Sequence, residues 1–278
     1  VNVVGEHATY HRALDAPLAS DIEGFARPVS GWIRVSEQAE NVALDAAAAV
    51  QAAQTPPGQI ATLILPADTA WNEAPGSAAP LPAPSPGNAD PDAVKRAIEA
   101  LRSGEPCVIL LGGGAVDEPA LALADRIAQR TGARVMGDTF LARIGRGAGR
   151  VDLPRLPYFA EQAEEALAGT RHLILVDTKA PVSFFAYPNQ ASELTPEGCE
   201  VHPLVRPGEA WVPALEAVAD GVGAGQEQPR VMDLAPPGAP SGALTAESIG
   251  QSVGALLPEN AVLVNEAVTS GFALPPMT

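Results

Sequence analysis

Residues 105–138 read EPCVILLGGGAVDEPALALADRIAQRTGARVMGD, and this segment contains the unit on which the fold is decided. The run from Cys107 to Leu111 carries no charged or amide side chain. It has the length of a strand and the composition of one covered on both faces. Glycines 112–114 interrupt it, PALALADRIAQRTG follows with helical periodicity, and ARVMGD returns to a strand. Strand, helix and strand in that order make a right-handed βαβ unit, which implies a parallel sheet.

The same alternation continues on both sides. DAVKRAIEALRSG precedes the strand as a helix, and FAEQAEEALAG (helix), HLILVD (strand) and CEVHPL (strand) follow. The expected fold class is α/β, with three-layer α/β/α domains built on parallel sheets. Proline-rich connectors at Ala74–Asp92 and Gln226–Ala243 divide the chain, because proline at that density removes backbone donors and holds the chain extended. The expected boundaries are 1–73, a linker at 74–91, a central Rossmann-like domain at 92–222, a linker at 223–243, and a last block at 244–278. In the first block Val1, Val3 and Val4 read as a buried strand ending at Gly5, Glu37–Gln54 as an alanine-rich helix and QIATLILPAD as a buried strand. In the last block Thr245 reads as an N-cap. Ser248 stands where a capping box has a glutamate, so no box is expected, and AVLVNEA (261–267) reads as a strand.

The formal charge of −16 and pI near 4.5 exclude nucleic acid and anionic membrane as expected partners. No apolar run approaches the eighteen or so residues of a membrane span, and the start lacks a signal-peptide plan, so a cytoplasmic location is expected. Cys107 and Cys199 are expected to be buried, reduced thiols. The ARIGRGAGR loop, with Arg143, Arg146 and Arg150, reads as a solvated loop or a small anion site.

Several motifs bear on chemistry. His7 and His11 in EHATYH would share one face of a helix, with Asp15 a turn later, and could then hold zinc. A loop at the carboxyl end of a strand, the edge where ligands sit in α/β sheets, is the other reading. Gly112, Gly113 and Gly114 could admit a phosphate, or simply form a tight turn; Asp117 and Glu118 put negative charge where the phosphate would lie. His172 and His202 read as separate structural histidines, and Glu164 and Glu165 as a solvated helix face. Asn265, Glu266, Thr269 and Ser270 follow the last apolar run, where hydroxyls and backbone N–H groups suit a diphosphate or make a polar turn.

Taken in order, the strings VVGEHATYH, DAPLASDIEGFARPVSGW, PPGQIATLILPADTAW, EPCVILLGGGAV, HLILVDTKAPVSFFAYP and LLPENAVLVNEAVTSG resemble thiamine-diphosphate-dependent enzymes of the acetolactate synthase and benzoylformate decarboxylase group. They are most similar to proteins called acetolactate synthase large subunit. The resemblance implies the second half of a pyrimidine-binding domain, a central domain and the start of a diphosphate-binding domain. It implies thiamine diphosphate and Mg2+ as cofactors, a 2-oxo acid substrate, decarboxylation with or without carboligation, and a homodimer or homotetramer. It places Gly5, Glu6 and His7 beside the pyrimidine and substrate pocket, and Glu266, Thr269 and Ser270 at the diphosphate. The activating glutamate is expected upstream of Val1 and the magnesium ligands downstream of Thr278, so the chain is expected to be an inactive middle piece. The family's FAD is not expected beside Asp117 and Glu118. The alternative function is a non-enzymatic nucleotide-binding (FAD or ADP) or assembly module on the central domain.

Overall fold

The structure, a computed structural model, describes residues 1–267 and 269–278. The chain divides into two compact units, Val1–Asp90 with Val205–Trp211, and Pro91–Leu204 with Val212–Thr278.

The first unit contains β1 (Asn2–Glu6), α1 (Ile22–Ala26), β2 (Trp32–Val35), α2 (Val42–Gln54), β3 (Ala61–Pro66) and α3 (Ala67–Trp71). Its three strands are parallel in the order β1-β3-β2, with Val3 opposite Leu63 and Arg34 opposite Leu63 on the other side. β3 is in the middle and is almost wholly buried, as its apolar sequence requires. The helix expected over Glu37–Gln54 begins as a 3-10 turn at Ala39–Asn41 and becomes α-helical at Val42. Its alanines Ala49 and Ala52 pack on Ala61 and Leu63, close enough that larger side chains there would push the helix off the sheet.

Two expectations change. The amino-terminal valines do form a strand, but not a buried one: Val3 is 63% exposed. β1 is an edge strand with a neighbour on one side only. WIRV, not marked as a strand by its short and mixed sequence, becomes β2 because β3 offers it a free edge.

The second unit contains α4 (Pro91–Arg102), β4 (Cys107–Leu111), α5 (Glu118–Thr131), β5 (Arg134–Gly137), α6 (Ala160–Leu167), β6 (His172–Val176), β7 (Glu200–Val205) but for its last residue, α7 (Trp211–Val222) but for its first, and α8 (Ala246–Leu256). The sheet order is β5-β4-β6-β7, and β4 is parallel to both β5 and β6. Every residue of β4 and β6 is buried. α5 is bounded by local chemistry: the Asp117 carboxylate accepts from the Ala120 N–H at 2.9 Å, and Gly132 ends the helix at φ +76°.

At the carboxyl-terminal end, α8 begins with a capping box after all. The Thr245 hydroxyl accepts from the Ser248 N–H at 3.1 Å, and the Ser248 hydroxyl accepts from the Thr245 N–H at 2.8 Å. A serine hydroxyl has the lone pairs to replace the expected glutamate. The segment 261–267 is not a strand, and Val262 is 87% exposed. Apolar β-branched sequence favours a strand only where another strand completes the ladder, and none pairs with it among the described residues.

Both cysteines are free thiols. Cys107 is buried, and burial pushes its thiol up to about 11, with the Glu105 carboxylate adding to the shift. Cys199 is only half-buried, less than its sequence suggested, and its thiol is also raised by burial.

Candidate functional site

β1 and β3 run in register, Gly5 beside Leu65 and Glu6 beside Pro66, so both open onto the same carboxyl edge of the sheet. A cavity of about 660 Å³ lies there, lined by Gly5, Glu6, His7, Tyr10, His11 and Trp71 among others. Gly5, Glu6 and His7 are thus brought to one concave site. A side chain at Gly5 would meet open space, since nothing lies within 4 Å of where its Cβ would stand. The Glu6 carboxylate turns back to accept from the His7 N–H at 2.8 Å. The His7 ring lies with Nε2 3.2 Å from the Pro17 carbonyl oxygen.

The loop is held by Asp68, the second residue of α3. Its carboxylate accepts from the Thr9 N–H at 2.9 Å and from the Thr9 hydroxyl. These bonds, the hydroxyl first, hold the Asp68 carboxyl below its ordinary range. A depressed folded-state value means that the tie is complete above the unfolded value, about 3.9, and is lost as pH falls through the folded one. We expect the protection factor of the Thr9 amide, its exchange rate relative to an unstructured peptide at the same pH, to fall on acidification below about pH 4. Asp68→Asn should produce a roughly tenfold or greater acceleration already at neutral pH; unchanged protection in the variant would show that the loop is held by other contacts.

The helix that would align His7, His11 and Asp15 for zinc does not form. The His11 N–H bonds the Ala8 carbonyl at 2.8 Å, a 3-10 turn spans Arg12–Leu14, and Asp15 is left-handed at φ +48°. The two imidazoles sit 5.5 Å apart, centroid to centroid, at the cavity wall.

The glycines at 112–114 serve the turn. The Asp177 carboxylate accepts from the Gly114 N–H at 2.7 Å, and a Cβ at Gly113, where φ is +51°, would stand 2.2 Å from that carboxylate. A carboxylate therefore lies where a phosphate would have to approach. Burial raises the Asp177 carboxyl above its usual range, and the backbone bonds to Gly114 and Ala115 oppose the shift. Asp117 is the cap of α5, and Glu118 pairs with Arg150 at 2.6 Å. Arg146 lies 3.9 Å from Asp152. The basic loop is thus partly neutralised by this chain's own carboxylates.

Glu266, Thr269 and Ser270 lie in the second unit and are exposed. Thr269 precedes a 3-10 turn at Ser270–Ala273, and Asn265 bridges that turn, donating to the Gly271 carbonyl at 3.3 Å and accepting from the Ala267 N–H at 3.0 Å. Val268, inside this loop, lies outside the described residues.

One cluster was invisible in the sequence. His172 and His202, read as unrelated, are partners: His172 Nδ1 stands 3.1 Å from His202 Nε2. Burial, followed by the neighbouring His172, holds the His202 imidazole below its ordinary pKa. The only sequence signal was their position on apolar strands, and adjacency of those strands is a property of the sheet order.

No family model matches the chain. Over all 278 residues it is 49% identical to a Mycobacterium tuberculosis protein that carries the provisional name acetolactate synthase large subunit IlvX, and it spans 53% of that protein's length. Among solved structures, it superposes on a Rhodococcus jostii RHA1 thiamine diphosphate-dependent 4-hydroxybenzoylformate decarboxylase with a TM-score of 0.70 at 19% identity, covering 98% of this chain and 55% of that one. It superposes on benzoylformate decarboxylase from Polynucleobacter necessarius with a TM-score of 0.67 at 16% identity, covering 99% and 55%. At such identities the superpositions speak for the fold alone. The chain therefore has the fold of about half of a thiamine-diphosphate-dependent enzyme, and in sequence it is similar over its whole length to about half of an acetolactate-synthase-like large subunit.

Proposed function

We propose that the natural polypeptide containing this sequence is a thiamine-diphosphate-dependent enzyme that decarboxylates a 2-oxo acid, as an acetolactate synthase-like carboligase or as a lyase. The observation that carries this reading is the cavity at the carboxyl edge of β1 and β3, where Gly5, Glu6 and His7 converge in a chain 49% identical to an acetolactate-synthase-like protein. The identity favours an enzyme over the nucleotide-binding or assembly module, and the Asp177 carboxylate against the glycine turn weighs the same way.

The cavity suits the pyrimidine end of the cofactor. Its wall combines apolar surface from Val4, Ile22 and Trp71 with polar groups from Glu6, His7 and His11, the mixture that orients a flat heteroaromatic ring. Gly5 leaves open the space that a side chain would take. Thiamine diphosphate, when bound, supplies the carbanion and electron sink on which 2-oxo acid decarboxylation depends. In this reading His7 faces the substrate and is placed to hold or move a proton at its imidazole. Glu6 fixes the backbone beside it, and Thr9 with Asp68 anchors the loop that lines the cavity. Thr269 and Ser270 would meet the diphosphate with their hydroxyls.

Magnesium belongs to this reading through the resemblance alone, and no group of three acidic oxygen donors that could hold it gathers among the described residues. It takes oxygen ligands in an octahedron, whereas the one potential metal-binding group of three among the described residues is His172, Glu200 and His202. The proposal includes a homodimer or homotetramer in the cytoplasm. Among the described residues no helix is long and apolar enough to cross a membrane.

The test is to supply the natural polypeptide with thiamine diphosphate, Mg2+ and a panel of 2-oxo acids, pyruvate and benzoylformate included, and to follow CO2 release. Cofactor-dependent release of CO2 from at least one acid is expected; its absence from every acid, with cofactor shown to be bound, would overturn the reading.

A further inference from the structure

In the second unit, β6 opens on His172, and its neighbour β7 opens on Glu200 with His202 two residues later. Alternation along a strand puts Glu200 and His202 on one face. There the three side chains converge. His172 Nδ1 and His202 Nε2 are 3.1 Å apart, and Glu200 Oε2 lies 3.8 Å from each. The second nitrogen of His172, Nε2, stands 3.0 Å from Glu105 Oε2, just ahead of β4.

The protons must be distributed consistently. A carboxylate only accepts, so the contact with Glu105 places a hydrogen on His172 Nε2. In the neutral ring Nδ1 is then a lone pair, directed at His202. Either His202 Nε2 donates a proton to it, or both nitrogens turn lone pairs on a shared cation. Zinc bonded to imidazole at about 2.0–2.1 Å in a tetrahedron sets its ligand atoms about 3.3 Å apart. The observed 3.1, 3.8 and 3.8 Å bracket that edge, and only the outermost group needs to close in. That group, the Glu200 side chain, is 71% exposed and free to swing, while the imidazoles are 10% and 12% exposed and shielded from competing water. A carboxylate holding the far nitrogen of a ligating histidine is the usual support of such sites, fixing tautomer and ring orientation. Two nitrogens and one oxygen suit zinc and its imidazole-preferring neighbours rather than magnesium or calcium.

We propose that His172, His202 and Glu200 bind one divalent cation of the zinc class, leaving a solvent-facing position open, with Glu105 acting as a positioning residue for His172. The ion fastens the edge strand β7 to β6, and so to the buried β4 beyond it.

The chain has four histidines, so each imidazole can be followed by NMR. With Co2+ as the probe, one equivalent should broaden the signals of His172 and His202 and leave those of His7 and His11 sharp, and Zn2+ should compete for the site. Calorimetry with Zn2+ alone should give one site per chain. Glu105→Gln should weaken it roughly ten- to a hundredfold, His202→Ala at least as much, and a His7→Ala, His11→Ala double variant not at all. Should His202→Ala fail to fold, Glu200→Gln decides, because that side chain is mostly exposed; it should weaken binding roughly tenfold or more. Co2+ broadening of His7 and His11 first, no Zn2+ binding tighter than about millimolar, or an affinity untouched by Glu200→Gln and His202→Ala would each overturn the proposal.

Discussion

Replacing Leu110 by alanine is expected to destabilise the second unit by about 2–5 kcal/mol. Leu110 is 0% exposed. It is the fourth of the five residues of β4, with Met136 opposite on β5 and Leu175 opposite on β6, and it packs in one cluster with Val108, Leu156, Leu167 and Leu173. Its truncation removes transfer free energy and leaves a cavity between two strands whose hydrogen bonds resist collapse around it. The effect should appear as a shift of the second unit's denaturant midpoint with little change in slope. Leu256→Ala, at the exposed end of α8, should shift it by less than about 0.5 kcal/mol. Equal shifts for the two variants would mean that the β4 core is not where the stability of this unit resides.

The second large effect is on function. Gly5→Leu should cut kcat/KM of the natural polypeptide roughly a hundredfold while shifting stability by less than about 0.5 kcal/mol. The two readouts separate because Gly5 has no left-handed backbone to strain, and a Cβ there meets open space at the edge of the cavity. The leucine would stand where the proposed cofactor ring lies, displacing it relative to Glu6 and His7. Steady-state kinetics beside a thermal melt decide it. An unimpaired kcat/KM would remove the cavity from the active site, and a collapsed melting temperature would show that Gly5 is needed for the fold.

The parts of the fold legible in the sequence are those in which local chemistry and burial say the same thing. CVILL and HLILV are apolar throughout because their strands are covered on both faces, and they became β4 and β6. Thr245 caps α8 as read, because a cap acts within a few residues of its own position. The loop 5–7 could be placed at a ligand edge because a parallel sheet brings all its carboxyl ends together, and the structure does place a cavity there.

Where a segment's state depends on a distant neighbour, sequence pattern misled. WIRV is a strand because the edge of β3 is free, whereas AVLVNEA, more strand-like by composition, has no partner among the described residues. Val3 is exposed because β1 is at an edge, which no property of the valines announces.

The sequence by itself determined the α/β class, the parallel β4 unit, the N-cap of α8 at Thr245, and the placement of the loop Gly5, Glu6 and His7 at the carboxyl end of a strand. These rest on periodicity and on bonds that close within a turn. Only the tertiary structure decided that Asp177 takes the glycine turn, that Asp68 secures the loop through Thr9, and that His172, His202, Glu200 and Glu105 share one site. His172 lies 30 residues from His202 and 67 from Glu105, and Thr9 lies 59 from Asp68; such partners meet through strand order and register. Those are settled by the packing of whole elements, and no single stretch of sequence encodes them.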